Sequence, residues 1–250
     1  MRRLSVILFP LAIASAAFAD PAHLGQTARI ASHFRDSSED EFQASIEAGW
    51  GSRYLAEGRE VWADNGIFSG LLVLGFNDFA IELWQGFSDG TAEREFHGSV
   101  QYTVFRAPVS MTLGLTHVDD LSGGDNDNDA SVSLIGPLPF GAEWDLNYYY
   151  GFERDGGFLE AGFSRTWEMD WVDVSLGAHL GSNLGYVVDG HKGPDHLVLS
   201  AELFREIMEN LTVRAGYSYH FRIDRDPTSH IQDLELYGGP SLGIAAEYSF

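Results

Sequence analysis

Residues 95–116 read EFHGSVQYTVFRAPVSMTLGLT, and this stretch decides the fold. Through residues 96–104 every even-numbered position is apolar or glycine, and the positions between them are polar. Such a side-chain period of two predicts a β-strand with one apolar and one polar face. The pattern resumes in residues 109–116 after a short break at 106–108. The two runs therefore predict an antiparallel hairpin.

The same alternation recurs along the chain and predicts twelve strands in all. A closed antiparallel barrel with both ends on the periplasmic side needs an even number of strands, as bacterial single-chain barrels have. The clear runs cover residues 42–51, 95–104, 109–116, 142–151, 172–180, 197–204, 211–220 and 242–250. Weaker strands fill the gaps at 67–75, 79–85, 130–138 and 158–167.

The connections between these strands alternate in length. The short ones are 77–78, 106–108, 137–141, 168–170 and 205–210. The others are mostly longer, at 53–66, 86–94, 118–129, 183–195 and 222–239, with 153–157 as the short exception. Short periplasmic turns and longer extracellular loops are typical of an outer-membrane barrel. We therefore predict an all-β fold, a closed antiparallel transmembrane β-barrel of about 12 strands.

The N-terminal residues have the features of a secretory signal peptide. A cationic start at Arg2 and Arg3 precedes an apolar stretch at 4–16, and small residues, Ala17 and Ala19, flank Phe18. We expect cleavage before Asp20, so that residues 1–19 are the signal peptide, 20–41 a polar periplasmic lead-in and 42–250 the barrel. A soluble β-barrel or sandwich shows the same alternation, but export and strands of about 9 to 11 residues favour a bilayer crossing.

Composition narrows the function. The chain has no cysteine and a formal net charge of −22, so disulfides contribute nothing to its stability and nucleic acid is excluded as an expected partner. The acidity suits either a lumen that attracts cations or simple solubility. Outer-membrane lipid and lipopolysaccharide are the expected partners of the outer wall.

The ending Ala246-Glu247-Tyr248-Ser249-Phe250 resembles the C-terminal strand signature of bacterial outer-membrane proteins. The resemblance implies that Tyr248 and Phe250 belong to the barrel-insertion signal and that the barrel-assembly machinery is a partner.

A second resemblance lies in residues 48–58, AGWGSRYLAEG. This run is similar to the first strand and loop of the TorF-type porins, which carry a Ser-Asp-Tyr-x-x-Arg-Gly kind of motif here. Arg53 stands where the acidic residue is usual, and Glu57 where the arginine is usual. The resemblance implies a porin-like function.

If the apolar faces meet lipid, the polar faces line the lumen. Eight of these inward side chains are carboxylates, against Arg214 as the clear cation. Rings of carboxylates favour cations, so the sequence predicts a passive, cation-preferring pore for small solutes. The alternative left open is a plugged interior that Arg214 and the histidines neutralise. The predicted pore-lining residues are Glu47, Glu82, Glu95, His97, Gln101, Glu143, Asp145, Asp173, His179, Glu202, Arg214, His220 and Glu247.

Two further classes stay open beside the pore: a barrel enzyme acting as a lipid hydrolase or deacylase, and a structural or adhesive barrel. His97, His179, His196 and His220 could serve as bases for a serine nucleophile, and Ser182 near His179 is the best candidate. No third partner is recognisable there. The sequence therefore predicts no catalytic residue and no cofactor.

The acidic run DNDND extends from Asp125 to Asp129. It begins like a calcium loop, but Ala130 replaces the expected glycine and Gly136 the final glutamate. The run is therefore not an EF-hand, and no metal site is predicted. We expect a solvated surface loop, with loose bridging by divalent cations to lipopolysaccharide as the alternative.

Overall fold

The computed structural model describes residues 42–124, 126–187, 192–223 and 236–250. Within these ranges the chain is all-β, and twelve strands form one closed antiparallel barrel. The barrel strands are β1 (Phe42–Gly51), β4 (Ile67–Phe76), β5 (Phe79–Ser88), β6 (Arg94–Phe105), β7 (Ser110–Asp120), β8 (Asn126–Pro137), β9 (Ala142–Gly151), β10 (Gly156–Trp167), β11 (Asp173–Leu184), β12 (Gly193–Met208), β13 (Leu211–Arg222) and β14 (Gly239–Ser249). Two short strands, β2 (Leu55–Ala56) and β3 (Arg59–Glu60), form a separate hairpin.

Strand β1 closes the barrel. It pairs with β4 on one side and with β14 on the other, and both pairings are antiparallel. Every barrel strand has two hydrogen-bonded neighbours as a result, so the sheet has no free edge, as a structure surrounded by lipid requires.

The outer face of the barrel is apolar. Leu115 is 61% exposed and Ile244 57% exposed, and both lie on strands whose alternate residues are buried. A continuous apolar surface of this extent costs roughly 25 cal/mol per Å² in water, and lipid removes that cost. Exposed aromatic residues, including Phe140 and Trp171 at the end with the short turns, flank the apolar band as they do in outer-membrane barrels. No helix in the described ranges has the length and apolar character to span a bilayer.

The predicted twelve-strand antiparallel barrel is confirmed, and several strands, among them β8 and β12, are longer than predicted. β8 begins at Asn126 instead of residue 130, and β12 runs from Gly193 to Met208. Asp and Asn have low strand propensity, but pairing of Asn126 with Asp119 on β7 overrides it. The predicted signal peptide (1–19) and lead-in (20–41) lie outside the described residues.

Candidate functional site

The thirteen residues predicted to line the lumen all lie on strand faces opposite the exposed apolar side chains. Seven are buried: Glu82, His97, Gln101, Glu202, Arg214, His220 and Glu247. The other six are partly buried: Glu47, Glu95, Glu143, Asp145, Asp173 and His179. Their role in lining an open pathway stays a prediction.

Arg214 lies beside two carboxylates at the seam where the barrel closes. Its Nη2 atom is 2.9 Å from Glu47 Oε2 and also contacts Glu247 Oε2. The register explains the meeting, because Glu47 and Glu247 are direct cross-strand partners on β1 and β14. One guanidinium therefore separates two like charges that would otherwise repel each other.

A loop hairpin occupies the lumen. Residues 52–66, here called the inward hairpin, follow β1 and contain β2 and β3. Its two-residue turn, Glu57-Gly58, has φ values of 47° and 72°, the left-handed conformation that tight β-hairpins need.

The base of the inward hairpin packs against the wall through aromatic side chains. Tyr54 lies 4.6 Å from Trp62 and 5.9 Å from Trp84 of β5, measured between ring centroids. The Tyr54 hydroxyl donates a 2.8 Å hydrogen bond to Glu95 Oε1, and Glu95 also contacts His97. The base is thereby fixed to β5 and β6, next to the strands from which it emerges.

The tip of the inward hairpin reaches the opposite wall. The Tyr149 hydroxyl of β9 donates a 2.8 Å hydrogen bond to Glu57 Oε1. Arg59 Nη1 lies 2.9 Å from Asp195 Oδ2 of β12, and both side chains are almost fully buried. Because β9 is six strands from β1 in either direction around the ring, the hairpin crosses the whole lumen.

A β-bulge supplies the partner for Arg59. Gly181 pairs with His196 and Ser182 with Pro194, so Asp195 is an extra residue on β12. Two consecutive residues, Asp195 and His196, are consequently both buried, which a regular strand with alternating faces would not allow.

The acidic run on β8 is not a solvated loop. Asp127 and Asp129 are 3% and 2% exposed, because the strand begins at Asn126 and turns them inward. Arg154 Nε lies 2.5 Å from Asp127 Oδ2, and the Tyr186 hydroxyl donates a 3.0 Å hydrogen bond to Asp129 Oδ2. The expectation of a solvated loop is therefore wrong for these two residues, while Asp125 lies outside the described residues.

Arg154 remains charged in this cluster. Burial lowers the pKa of its guanidinium, but Tyr186, Glu57, Asp127 and Asp129 raise the pKa by more, and the net shift is upward. The guanidinium also lies over the Tyr186 ring, 4.5 Å from its centroid. Across the described ranges, no group of three or more acidic or histidine side chains is placed to hold a metal ion.

Sequence reasoning missed the cations that enter the interior from connections. Arg59 and Arg154 join Arg214 there, so Arg214 is not the clear single cation that we expected. One signal was available for the inward hairpin: its loop carries the apolar residues Leu55 and Trp62, which a solvated loop has no reason to contain.

The serine and histidine proposed for an enzyme lie on opposite faces of β11. His179 faces the lumen with its Nδ1 atom 3.7 Å from Asp145 Oδ1. Ser182 alternates with the buried Gly181 and Asn183 and shares its face with the exposed Leu180 and Leu184. His179 is therefore not placed to activate Ser182 as a nucleophile.

The fold resembles that of solved porins. The KdgM porin aligns with a TM-score of 0.57 at 12% identity, covering 82% of this chain and 99% of that chain. A structure described as the NanC porin aligns with a TM-score of 0.55 at 11% identity, covering 82% and 98%. No family model and no curated protein matches the sequence. At these identities the likeness concerns the fold, and the predicted membership of the TorF-type group stays a prediction.

The closed twelve-strand barrel, its apolar outer face and its similarity to porins together indicate an outer-membrane protein.

Proposed function

We propose that this protein is a passive, porin-like pore of the outer membrane that passes small solutes and prefers cations. The observation that carries the proposal is the charge of the interior. The eight inward carboxylates expected from the sequence are joined by a further set, namely Glu57, Asp127, Asp129, Glu160 and Asp195. Arg59, Arg154 and Arg214 offset only part of this charge.

An acidic interior selects among solutes by the sign of their charge. In a narrow polar channel, carboxylates attract cations and repel anions more strongly than they do in bulk water. A KdgM structure is described in complex with disordered oligogalacturonate, which is a polyanion. The interior charge of this chain argues against a polyanion as its solute.

The test is the reversal potential of purified protein in planar bilayers under a salt gradient. We expect a cation-selective potential that shifts towards zero in the Glu143→Gln/Asp145→Asn variant. The matched control is Glu168→Gln/Asp170→Asn, which removes the same charge from an exposed turn and should leave the potential unchanged. An anion-selective potential would contradict the proposal.

The same purified protein also tests the two other functional classes, a structural or adhesive barrel and an enzyme. A folded barrel without conductance would favour a structural or adhesive protein. Turnover of phospholipid or lipopolysaccharide acyl chains, lost in Ser182→Ala or His179→Ala, would establish the enzyme. We propose that no such turnover occurs, because Ser182 and His179 face opposite sides of the wall.

Lipid and lipopolysaccharide around the barrel, and the barrel-assembly machinery, stay the predicted partners.

A further inference from the structure

The inward hairpin is attached to the barrel in two chemically different ways. Its base belongs to an apolar cluster that contains Tyr54, Ala56, Trp62, Ile67 and Trp84. Its tip contacts β9 and β12 through the Glu57–Tyr149 hydrogen bond and the Arg59–Asp195 ion pair, and its backbone pairs with Leu236 and Tyr237 ahead of β14. The two attachments therefore differ in what their separation would cost.

Separation of the base would expose aromatic surface to water, and nothing would compensate for that loss. Separation of the tip would return charged and hydrogen-bonding groups to water, and their hydration offsets most of the lost attraction. The tip is consequently the part of the hairpin that can leave the wall while the base stays in place.

The charges around the docked tip also oppose docking. Glu57 and Asp195 lie in the same region as Asp127 and Asp129, and the guanidinium groups of Arg59 and Arg154 lie among these four carboxylates. Like charges held close together in a partly dry site repel each other. This repulsion offsets part of the attraction that holds the tip against the wall, so it lowers the free energy needed for release.

We propose that the inward hairpin is a gate, in which the tip releases from β9 and β12 and widens the pathway while the base acts as the hinge. The inference rests on the proposed pore function. The latch consists of Glu57 and Arg59 on the hairpin and Tyr149 and Asp195 on the wall, and the backbone hydrogen bond from Tyr237 to Gly58 opens with it.

A disulfide lock tests the gate in the natively cysteine-free chain. A Cβ built on Gly58 lies 3.0 Å from His196 Cβ, which is closer than the roughly 3.5–4.5 Å of most disulfides, and Gly58 has a φ of +72°. Gly58→Cys/His196→Cys can therefore tie the tip to β12 only with a small shift of the turn. The matched control is Gly49→Cys/Ala245→Cys, which ties β1 to β14 over a similar distance of 3.2 Å. We expect the oxidised lock to remain at the lowest conductance level and to recover on reduction, while oxidation of the control changes nothing. Equal conductance of the oxidised and reduced lock would overturn the gate.

A second measurement needs no conductance and so separates the gate from the pore. Leu55 is fully buried on β2, where alternation places it on the face opposite Ala56 of the base cluster. We therefore expect a Leu55→Cys thiol to react faster with a soluble maleimide once the tip releases. Adding Arg59→Gln should speed the labelling about tenfold, the factor expected from losing one charge-assisted hydrogen bond. Arg59→Lys keeps the charge that pairs with Asp195 and should stay slow.

The two failures look different. Slow labelling in Leu55→Cys/Arg59→Gln, equal to that of Leu55→Cys alone, would overturn the gate whatever the barrel conducts. Absence of conductance in the reduced proteins would instead overturn the pore.

Discussion

Arg214 illustrates how one side chain stabilises the closing seam. Its guanidinium contacts both Glu47 and Glu247, which face each other across β1 and β14. Removing one member of a buried ion pair leaves an uncompensated charge, which typically costs about 3–5 kcal/mol.

We therefore predict that Arg214→Met lowers barrel stability by about 3 kcal/mol. The midpoint of heat-modifiable gel migration, or of urea unfolding in detergent, measures the change. Glu47→Gln/Glu247→Gln in the Arg214→Met background should restore most of the loss. If Arg214→Met unfolds like the wild type, the seam does not depend on this ion pair.

Glu57 gives the gate a predicted dependence on pH. Burial raises the pKa of its carboxyl when the tip is docked, although Arg154, the Tyr149 hydroxyl and Arg59 lower the pKa in part. The charged and titratable groups that face it are Tyr149, Arg59, Arg154, Glu95, Asp129 and Tyr186. A raised pKa means that the docked state binds the proton more tightly than the released state.

Docking is therefore most stable below the ordinary pKa of 4.5 and weakens as pH rises through the higher docked value. We predict that the labelling rate of Leu55→Cys, divided by the rate of the urea-unfolded chain at the same pH to remove the titration of the thiol itself, is lower at the acidic end of this window than at neutral pH. Glu57→Gln keeps an acceptor for Tyr149 but cannot ionise, so it should remove the dependence. A pH dependence of the same size in Glu57→Gln would assign the titration to another group.

At the scale of the element, we expect the bulge on β12 to be needed for docking of the inward hairpin but not for folding of the barrel wall. Asp195 is the extra residue between the pairs Gly181–His196 and Ser182–Pro194. We predict that deletion of Asp195 restores regular pairing and keeps the heat-modifiable barrel, while Leu55→Cys labels rapidly because Arg59 has lost its partner. Loss of the folded barrel would show that the bulge is needed for the wall itself.

The strands could be predicted from the sequence because their signal is local. Alternation within ten residues locates β6 or β14 without knowledge of any neighbour. The first turn of β8 could not be located this way, since Asn126 and Asp127 are strand residues only through their pairing with β7.

The contacts of the inward hairpin could not be predicted from the sequence for a similar reason. Arg59 and Asp195 are 136 residues apart in sequence, and no periodicity links a loop residue to a bulge on a distant strand. The inward direction of Glu95 or Glu143 follows from alternation, but which cation each meets depends on the closed barrel.

At the scale of the whole molecule, the barrel has an apolar outside and a polar inside, and adjacent residues test this directly. Leu115 lies at the centre of β7 on the exposed face, and Thr116 points inward towards Ser99. A lysine facing lipid near the bilayer midplane costs roughly 2–4 kcal/mol.

We predict that Leu115→Lys destabilises the vesicle-inserted barrel and lowers its free energy of unfolding by about 2–4 kcal/mol. Thr116→Lys should change that free energy much less. Urea titration of the vesicle-inserted barrel measures both. Equal losses in the two variants would mean that β7 does not separate lipid from lumen at this position.

The inward hairpin crosses the lumen, and this also indicates the order of two steps in assembly: curling of the sheet and docking of the tip. In an uncurled sheet, the six inter-strand steps from β1 to β9 would span on the order of 29 Å at about 4.8 Å a step. The six residues from Gly51 to Glu57 reach at most about 20 Å when fully extended. In an uncurled sheet the side chains of Glu57 and Tyr149 would have to bridge the rest with the chain fully extended, so the contact forms readily only once the sheet has curled. Burial of the tip therefore follows curling of the sheet, and the loss of reactivity of a thiol at position 55 can report when that step occurs during assembly.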